Sequence, residues 1–280
     1  MKRIKSVVIF YNSKRRKAIV FTAGIEKKLS AAGVRVAKIC VNDVFCDFRA
    51  ADAAVAVGGD GTVLYAARHL MKHSIPALGI NAGGLGFLSG MENAEFVSRI
   101  NEFIEGKFKK IKRSLLSAEV TRGSKKVFGP FPALNDCVIR SIEARAFSLH
   151  VSYGSQFLSN YFGDGLIVCT PTGSTAYNLA ALGPIAMPEL EVALLSPICP
   201  HTLTHRPLVL SAGENIKIKV LSARYGPHKV ILSIDGQENF ELKARDEIII
   251  KKHPQIFEML VPENFSYFDI LRKKLRWGER

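Results

Sequence analysis

The first third of the chain alternates short apolar runs with segments of helical pattern, and this alternation narrows the choice of fold more than any other feature. Val7-Val8-Ile9-Phe10 is the first run, Val34 to Ile39 the second, Ala53 to Val57 the third and Pro76 to Ile80 the fourth. Each has the length and composition of a strand. A helical pattern from Arg16 to Ala32, stopped by Gly33, separates the first two runs. Another, from about Val63 to His73, separates the third and fourth. Strands alternating with helices imply parallel β-α-β units and a doubly wound parallel sheet. Such sheets bind ligands at the carboxyl ends of their strands.

From about Leu115 the texture changes. Ser148 to Tyr153 and Ile216-Lys217-Ile218-Lys219-Val220 alternate apolar and polar residues, as strands with one buried face do. Lys229 to Ile234, the Asp235-Gly236 turn and the stretch to Leu242 read as a hairpin. Glu247 to Lys251 adds a strand. The expected organisation is therefore an α/β domain over 1–113 and a mainly antiparallel β domain over 114–252. The tail 253–280 is free to return to the first domain, since Ile256 to Val261 is apolar and Tyr267 to Leu275 looks helical. No internal repeat or low-complexity linker interrupts this scheme.

The chain has 280 residues, 48% of them hydrophobic and 23% charged, which suits a globular protein with room for two cores. No apolar stretch approaches the roughly 18 residues needed to cross a bilayer. The basic start, Met1 to Ser6, leads into an apolar run too short for a signal-peptide core. A cytoplasmic protein without a membrane partner is expected. The five cysteines (Cys40, Cys46, Cys137, Cys169, Cys199) are scattered and odd in number, the pattern of reduced thiols. Cys199-Pro200-His201 with His205 offers at most three ligands and no recognisable zinc pairing, so no metal ligand is assigned; a loop with a buried thiol and satisfied imidazoles is the plainer reading. The net charge of +14 admits polyanionic partners. Much of it lies in short runs, Lys14-Arg15-Arg16-Lys17, Lys107 to Arg113 and Arg272 to Arg276, and none is interleaved with stacking aromatics. Solvated surface is the expectation for each run, with no nucleic-acid partner.

Four blocks carry chemistry. The first, Val57-Gly58-Gly59-Asp60-Gly61-Thr62, ends a strand in glycines and places a carboxylate before a helix. Glycines let backbone approach a phosphate, and helix N-termini favour anions. An aspartate there would repel phosphate unless it accepts a proton from an attacking hydroxyl or shares a magnesium ion. The alternative is that Asp60 caps the following helix through its side chain. No Gly-x-x-x-x-Gly-Lys-Ser/Thr loop is present, and no Gly-x-Gly-x-x-Gly follows the first strand. The second block, Gly79 to Leu88, also follows a strand and should lie beside the first, with Asn81 able to donate to a phosphate oxygen, or is simply a flexible turn, the commoner case for such a feature alone. The third, Asn135-Asp136, offers donors and acceptors for an adenine edge and ribose hydroxyls, or is simply a polar turn. The fourth runs from Gly163-Asp164-Gly165 through Thr170-Pro171-Thr172-Gly173-Ser174-Thr175-Ala176-Tyr177-Asn178. Its hydroxyl-rich centre has the look of a capped helix start, with or without a ligand.

Taken together the blocks resemble the NAD kinase family over nearly the whole chain. The Gly-Gly-Asp-Gly-Thr element at 58–62 is shared with lipid kinases and phosphofructokinases. The elements from Asn81 to Leu88 and from Asp164 to Tyr177, the stretch Pro197 to Leu203 followed by Arg206-Pro207-Leu208, and Asp235-Gly236-Gln237 are similar to the family's. That resemblance implies a two-domain kinase that phosphorylates the 2′-hydroxyl of the adenosine ribose of NAD to give NADP. ATP or a related phosphoryl donor and a divalent metal, magnesium by expectation, would serve it. Asp60 would be the proton acceptor, with Gly61 against the ligand and Gly58, Gly59, Thr62 and Asn81 forming the phosphate loop. Asn135 and Asp136 would hold the adenosine portion and Asp164 the nicotinamide end. Thr175, Ala176, Tyr177, Asn178, Leu179 and Ala180 would line the NAD site, with Gln237 contributing from the β domain and Arg145 placed by spacing. The family pattern also implies a homodimer or homotetramer. Three positions depart from it: Asp136 stands where the family usually has Glu, Phe162 where many members are basic or polar, and Leu182 where a glycine often precedes Gly183.

Phosphoryl transfer depends mostly on positioning and charge neutralisation. A sugar hydroxyl is a far weaker acid than a carboxylic acid, so an aspartate would orient it and collect the proton late. Magnesium and backbone N–H groups would screen the donor phosphates. Two rivals remain at this point, a kinase of a lipid or sugar sharing the 58–62 loop and a non-catalytic dinucleotide sensor; the presence of Asp60 speaks against the sensor.

Overall fold

In the computed structural model, which describes residues 2–41, 50–83, 86–143, 145–221 and 229–278, the first apolar run forms β1 (Ser6–Tyr11). It is followed by α1 (Arg16–Ala31), which Gly33 closes at a φ of +78°. β2 (Arg35–Cys40), β3 (Ala53–Gly58), α2 (Asp60–Leu70) and β4 (Ala77–Asn81) complete two parallel β-α-β units. The buried residues of α1, Ala18, Thr22, Ile25 and Leu29, fall at helical spacing on the face turned to the sheet. A short strand β5 (Met91–Glu92), two short helices α3 (Asn93–Ser98) and α4 (Ile100–Ile104), and β6 (Lys109–Arg113) follow.

The second helix starts earlier than its apolar pattern suggested, at Asp60 rather than about Val63, and its last turn, Met71–His73, tightens to 3-10 geometry. Gly59 is the reason for the early start. It takes an extended conformation as N-cap, so the turn carrying Asp60, Gly61 and Thr62 is already helical.

The next strands are β7 (Leu116–Arg122), β8 (Lys125–Ala133), β9 (Asp136–Ser141), β10 (Phe147–Tyr153), β11 (Gln156–Gly163) and β12 (Gly165–Cys169). After a 3-10 turn at Thr172–Thr175 and the single-turn helix α5 (Tyr177–Ala180) come six more. They are β13 (Val192–Ile198), β14 (Leu208–Ser211), β15 (Ile216–Val220), β16 (Val230–Ile234), β17 (Glu238–Leu242) and β18 (Glu247–Lys252). The chain ends with β19 (Phe257–Val261) and α6 (Tyr267–Leu275).

Two compact units result, 1–112 with 257–280, and 113–256. In the first, strand order is β2-β1-β3-β4-β19-β6, with β5 paired to β4. β1 leads leftward to β2, and β3 leads rightward to β4. Right-handed crossovers therefore put α1 and α2 on opposite faces and leave a switch point between β1 and β3. β19 runs parallel to β4, with Met259 opposite Ala77.

The second unit is a sandwich of two antiparallel six-stranded sheets, β11-β10-β15-β18-β7-β8 and β14-β13-β12-β9-β16-β17. β15 buries Ile216, Ile218 and Val220 and exposes Lys217 and Lys219, the alternation its sequence shows. The core between the sheets includes Ala118, Val120, Leu149, Ile218 and Ile250 from one and Ile139, Leu166, Val168, Leu195 and Leu232 from the other. The far face of β12 is buried as well, because Ile167 and Cys169 pack with Ala186, Val138 and Leu194. Burial on both faces explains why β12 reads as a continuous apolar run. No helix among the described residues is long and apolar enough to cross a membrane.

Candidate active site

The glycine blocks of the first unit lie side by side because β3 and β4 are neighbours, with Gly58 opposite Asn81 and the Ala82 N–H donating to the Gly58 carbonyl at 3.0 Å. Gly58 is obligatory on steric grounds: a Cβ there would stand 2.1 Å from Thr62 Oγ1. Asn81 is buried and its Oδ1 accepts the Gly83 N–H at 2.9 Å, a local turn that leaves the amide nitrogen as its donor.

Asp60, half-buried, does not cap its own helix. Its Oδ2 accepts the Phe87 N–H at 2.9 Å and its Oδ1 the Leu88 N–H at 3.0 Å, so the carboxylate spans from the first glycine block to the second. Gly86 makes that approach possible, since a Cβ on it would lie 1.9 Å from Asp60 Oδ1. Gly84 and Leu85, inside the second block, are outside the described residues, as is Cys46. The side-chain capping alternative for Asp60 is thereby corrected. Gly59 supplies the helix N-cap through its backbone conformation, which frees the aspartate for a tertiary role.

In the second unit, Asn135 and Asp136 are buried at the start of β9. The backbone N–H groups of Leu134, Asn135 and Asp136 all donate to the Asp235 carboxylate, at 2.9, 2.7 and 3.0 Å. Asp235 and Gly236 occupy the left-handed region (φ of +51° and +65°) within the three-residue connection 235–237 between β16 and β17, which the Gln237 N–H closes by donating to the Ile234 carbonyl at 2.9 Å. The sequence reading took Asp235 as a turn residue within a family-like Asp-Gly-Gln element and gave it no role of its own; three amides aimed at its carboxylate supply one. Burial, with the Asp235 charge adding to it, pushes the Asp136 carboxyl up to about 7. The neighbouring Cys137 and Cys169 thiols are raised by burial and remain protonated.

The hydroxyl-rich block folds onto this pair. The Thr170 N–H donates to the Asn135 carbonyl at 2.8 Å, Thr170 Oγ1 donates to the Leu134 carbonyl at 2.6 Å, and the Gly173 N–H donates back to Thr170 Oγ1 at 3.0 Å. A Cβ on Gly173 would stand 2.1 Å from the Asn135 carbonyl oxygen. Instead of a capped helix start, 172–175 forms a 3-10 turn without a side-chain cap, because its hydroxyls bond locally: Ser174 to Pro171, and Thr175 to Thr172. Thr172 Oγ1 is buried with no hydrogen-bond partner. Tyr177 and Ala180 are exposed, and Ala176 and Leu179 half-buried.

Asn178 is fully buried. Its amide nitrogen donates to the Ser174 and Pro184 carbonyls, at 3.2 and 3.0 Å, while its oxygen accepts Ser196 Oγ at 2.6 Å. All its polar atoms are thus engaged in holding the loop 174–184 to β13. Gln237, in the β16–β17 turn, sits at the Asp136 end of the sheet, where Ile234 pairs with Cys137. Asp164 and Arg145 do not: both are exposed, and Asp164 lies where β12 begins, its carbonyl accepting the Ser141 N–H at the far end of β9. A strand of five residues, about 17 Å, separates Asp164 from the Asn135 cluster.

The Cys199 loop departs from the sequence reading in two details. Cys199 is exposed at a φ of +43°, because the chain turns outward after β13. His205 bonds Ser159 Oγ at 3.2 Å, but its Nδ1 is buried without a partner.

The geometry has counterparts among known proteins. Residues 7–108 match the ATP-NAD kinase N-terminal domain and residues 134–260 the ATP-NAD kinase C-terminal domain. An NAD kinase from Archaeoglobus fulgidus, solved in complex with ATP, superposes with a TM-score of 0.79 at 26% identity, covering 97% of this chain and 98% of that one. A yeast NADH kinase solved with NADH gives 0.87 at 23% identity over 100% and 90% of the two chains, a likeness of fold. An NAD kinase of Geobacter metallireducens is 42% identical over 231 residues, 82% of this chain and 80% of its own. One of Sulfurimonas denitrificans is 38% identical over 254 residues, 90% and 84%. A parallel sheet with a carboxylate at its glycine turns, joined to an antiparallel sandwich, is on these likenesses a phosphotransferase. The chain belongs to the NAD kinase family.

Proposed function

We propose that the protein transfers the terminal phosphoryl group of ATP to the 2′-hydroxyl of the adenosine ribose of NAD, giving NADP. The observation that carries this reading is the Asp60 carboxylate, pinned by the Phe87 and Leu88 amides at the carboxyl edge of a doubly wound sheet. Each of its oxygens accepts one amide and keeps a second lone pair for a hydroxyl. Asp60 then orients the ribose hydroxyl and takes its proton late in the transfer. Asn135 and Asp136 serve the adenosine portion and Asp164 the nicotinamide end. Thr175, Ala176, Tyr177, Leu179 and Ala180 line the dinucleotide site, Asn178 holds that lining in place, and Gln237 and Arg145 contribute at its margins. Gly61 lies against the dinucleotide beside Asp60, and Gly58, Gly59, Thr62 and Asn81 take the donor phosphates.

A divalent cation, magnesium by expectation, fits this donor set. Magnesium keeps most of its coordination sphere for phosphates and water and needs one or two carboxylates. Among the described residues no three His, Cys, Asp or Glu side chains converge on a cage. Asp60 is the carboxylate available at the glycine turns, and the cation, when bound, neutralises charge on the donor phosphates. The reading also includes a cytoplasmic homodimer or homotetramer.

The test is Asp60→Asn, assayed for NADP formation from NAD and ATP with magnesium and for NAD affinity by calorimetry. Turnover is expected to fall by about a thousandfold, the scale of a lost proton acceptor, with NAD affinity nearly unchanged. Near-normal turnover removes Asp60 from the mechanism. Phosphorylation of a lipid or sugar in place of NAD overturns the reading.

A further inference from the structure

The basic run Lys14 to Lys17 reads as solvated surface in the sequence, and the structure sets one of its members apart. Arg15 ends the loop after β1, beside the switch point, and its backbone N–H donates to the Asn12 carbonyl at 3.1 Å. Asn12 Oδ1 accepts the Lys14 N–H at 2.9 Å, so the loop is held by a side-chain turn rather than left slack. From this anchor the guanidinium reaches across two strand ends. Its Nη1 lies 3.9 Å from where a Cβ would stand on Gly59 and 3.3 Å from that position on Gly83. Loops after three adjacent strands, β1, β3 and β4, therefore converge on one cation, which a Cβ on Gly83 would approach more closely than ordinary contact and one on Gly59 would just touch.

The guanidinium has no hydrogen bond or ion pair among the described residues. The carboxylate of this region, Asp60, is turned to the Phe87 and Leu88 amides. An exposed arginine in a surface run has no reason to lie over two glycine turns that offer it no acid. Its planar fork matches a phosphate bidentately, and glycine turns let such an anion approach the backbone.

We infer that Arg15 binds the terminal phosphates of the phosphoryl donor, as a clamp over the Gly59 and Gly83 turns. The assignment rests on the kinase reading above for the identity of the anion, though the anion site itself is a property of the first unit. Nucleoside triphosphate and inorganic polyphosphate share this chemistry, and the clamp serves either.

Arg15→Ala, Arg15→Lys and, as a control from the same run, Arg16→Ala separate the possibilities. With ATP as donor, Arg15→Ala is expected to raise the KM for ATP about ten- to a hundredfold, the scale of lost charge-assisted hydrogen bonds, while the KM for NAD moves less than about twofold. Arg15→Lys should fall between it and the parent, and Arg16→Ala should match the parent. A parallel series with inorganic polyphosphate as donor shows which source the clamp serves. Calorimetric titration with inorganic tripolyphosphate repeats the comparison without turnover. If the parent makes no NADP yet Arg15→Ala still weakens tripolyphosphate binding, the kinase reading fails and the anion clamp stands. An unchanged tripolyphosphate affinity, or a KM for NAD that rises together with that for ATP, overturns the clamp.

Discussion

Gly86→Ala adds a single methyl group, and the structure specifies what that methyl must displace. Its Cβ would stand 1.9 Å from Asp60 Oδ1, 2.7 Å from Asp60 Cγ and 2.7 Å from Ser89 Oγ. Contacts of Cβ below 3.0 Å essentially do not occur, so the carboxylate retreats by more than about 1 Å. Its bonds to the Phe87 and Leu88 amides, now 2.9 and 3.0 Å, then stretch past hydrogen-bond range. A hydrogen bond to a charged group contributes about 1.5–3 kcal/mol, and water recovers part of that at a half-buried site, leaving a net loss of about 2–3 kcal/mol. The thermal midpoint should drop by several degrees. Catalysis should suffer more, since misplacing a reacting group by about 1 Å costs about a hundredfold. Scanning calorimetry and NADP formation at saturating NAD and ATP measure the two effects. Gly24→Ala provides the matched control: it sits within α1 with nothing within 4 Å of the added Cβ, and should be neutral or stabilising by about 0.5–1 kcal/mol. A Gly86→Ala protein with parental kcat and midpoint would refute the claim that Asp60 is held where the structure shows it.

Asp136→Asn should alter how stability depends on pH. In the unfolded chain the carboxyl loses its proton near 3.8, whereas in the fold it keeps it to about 7. Between those values the native state binds the extra proton, so its stability falls as pH rises, levelling above about 7. The asparagine variant lacks this loss, and its melting midpoint should equal the parent's near pH 4 and exceed it by pH 7; a gap independent of pH would count against the burial argument. Asp235→Asn leaves one side-chain oxygen for the three amides of 134–136. It should destabilise the second unit by about 2 kcal/mol and raise the KM for NAD with less effect on that for ATP. Equal rises in both would show that Asp235 does not act through the Asn135 turn.

Where neighbours along the chain determine an element, it was legible. Lys217 and Lys219 between buried Ile216, Ile218 and Val220 announce a half-buried strand, and Asp235-Gly236 between two such strands announces its turn. Val55 and its neighbours announce a strand, which the fold buries along its whole length. Propensity misjudged the start of α2, because an extended Gly59 begins the helix three residues before the apolar pattern does. Likewise the hydroxyls of 172–175 look like helix caps, yet they bond within their own turn. Asn178 shows the same limit: within its motif it reads as ligand-facing, and only the meeting of Ser174, Pro184 and Ser196 turns its amide inward.

From residue order alone came the alternating strands and helices, the change to antiparallel pairing, and the blocks whose spacing resembles one family of kinases. Those signals are local, set by periodicity, turn chemistry and contiguous motifs. Tertiary structure alone decided that Asp60 bonds to amides 27 and 28 residues away, that Asp235 gathers amides about 100 residues earlier, and that Arg15 lies over two glycine turns. Strand order brings those partners together, and a hydrogen bond or a steric clash depends on distance in space, which chain separation does not encode.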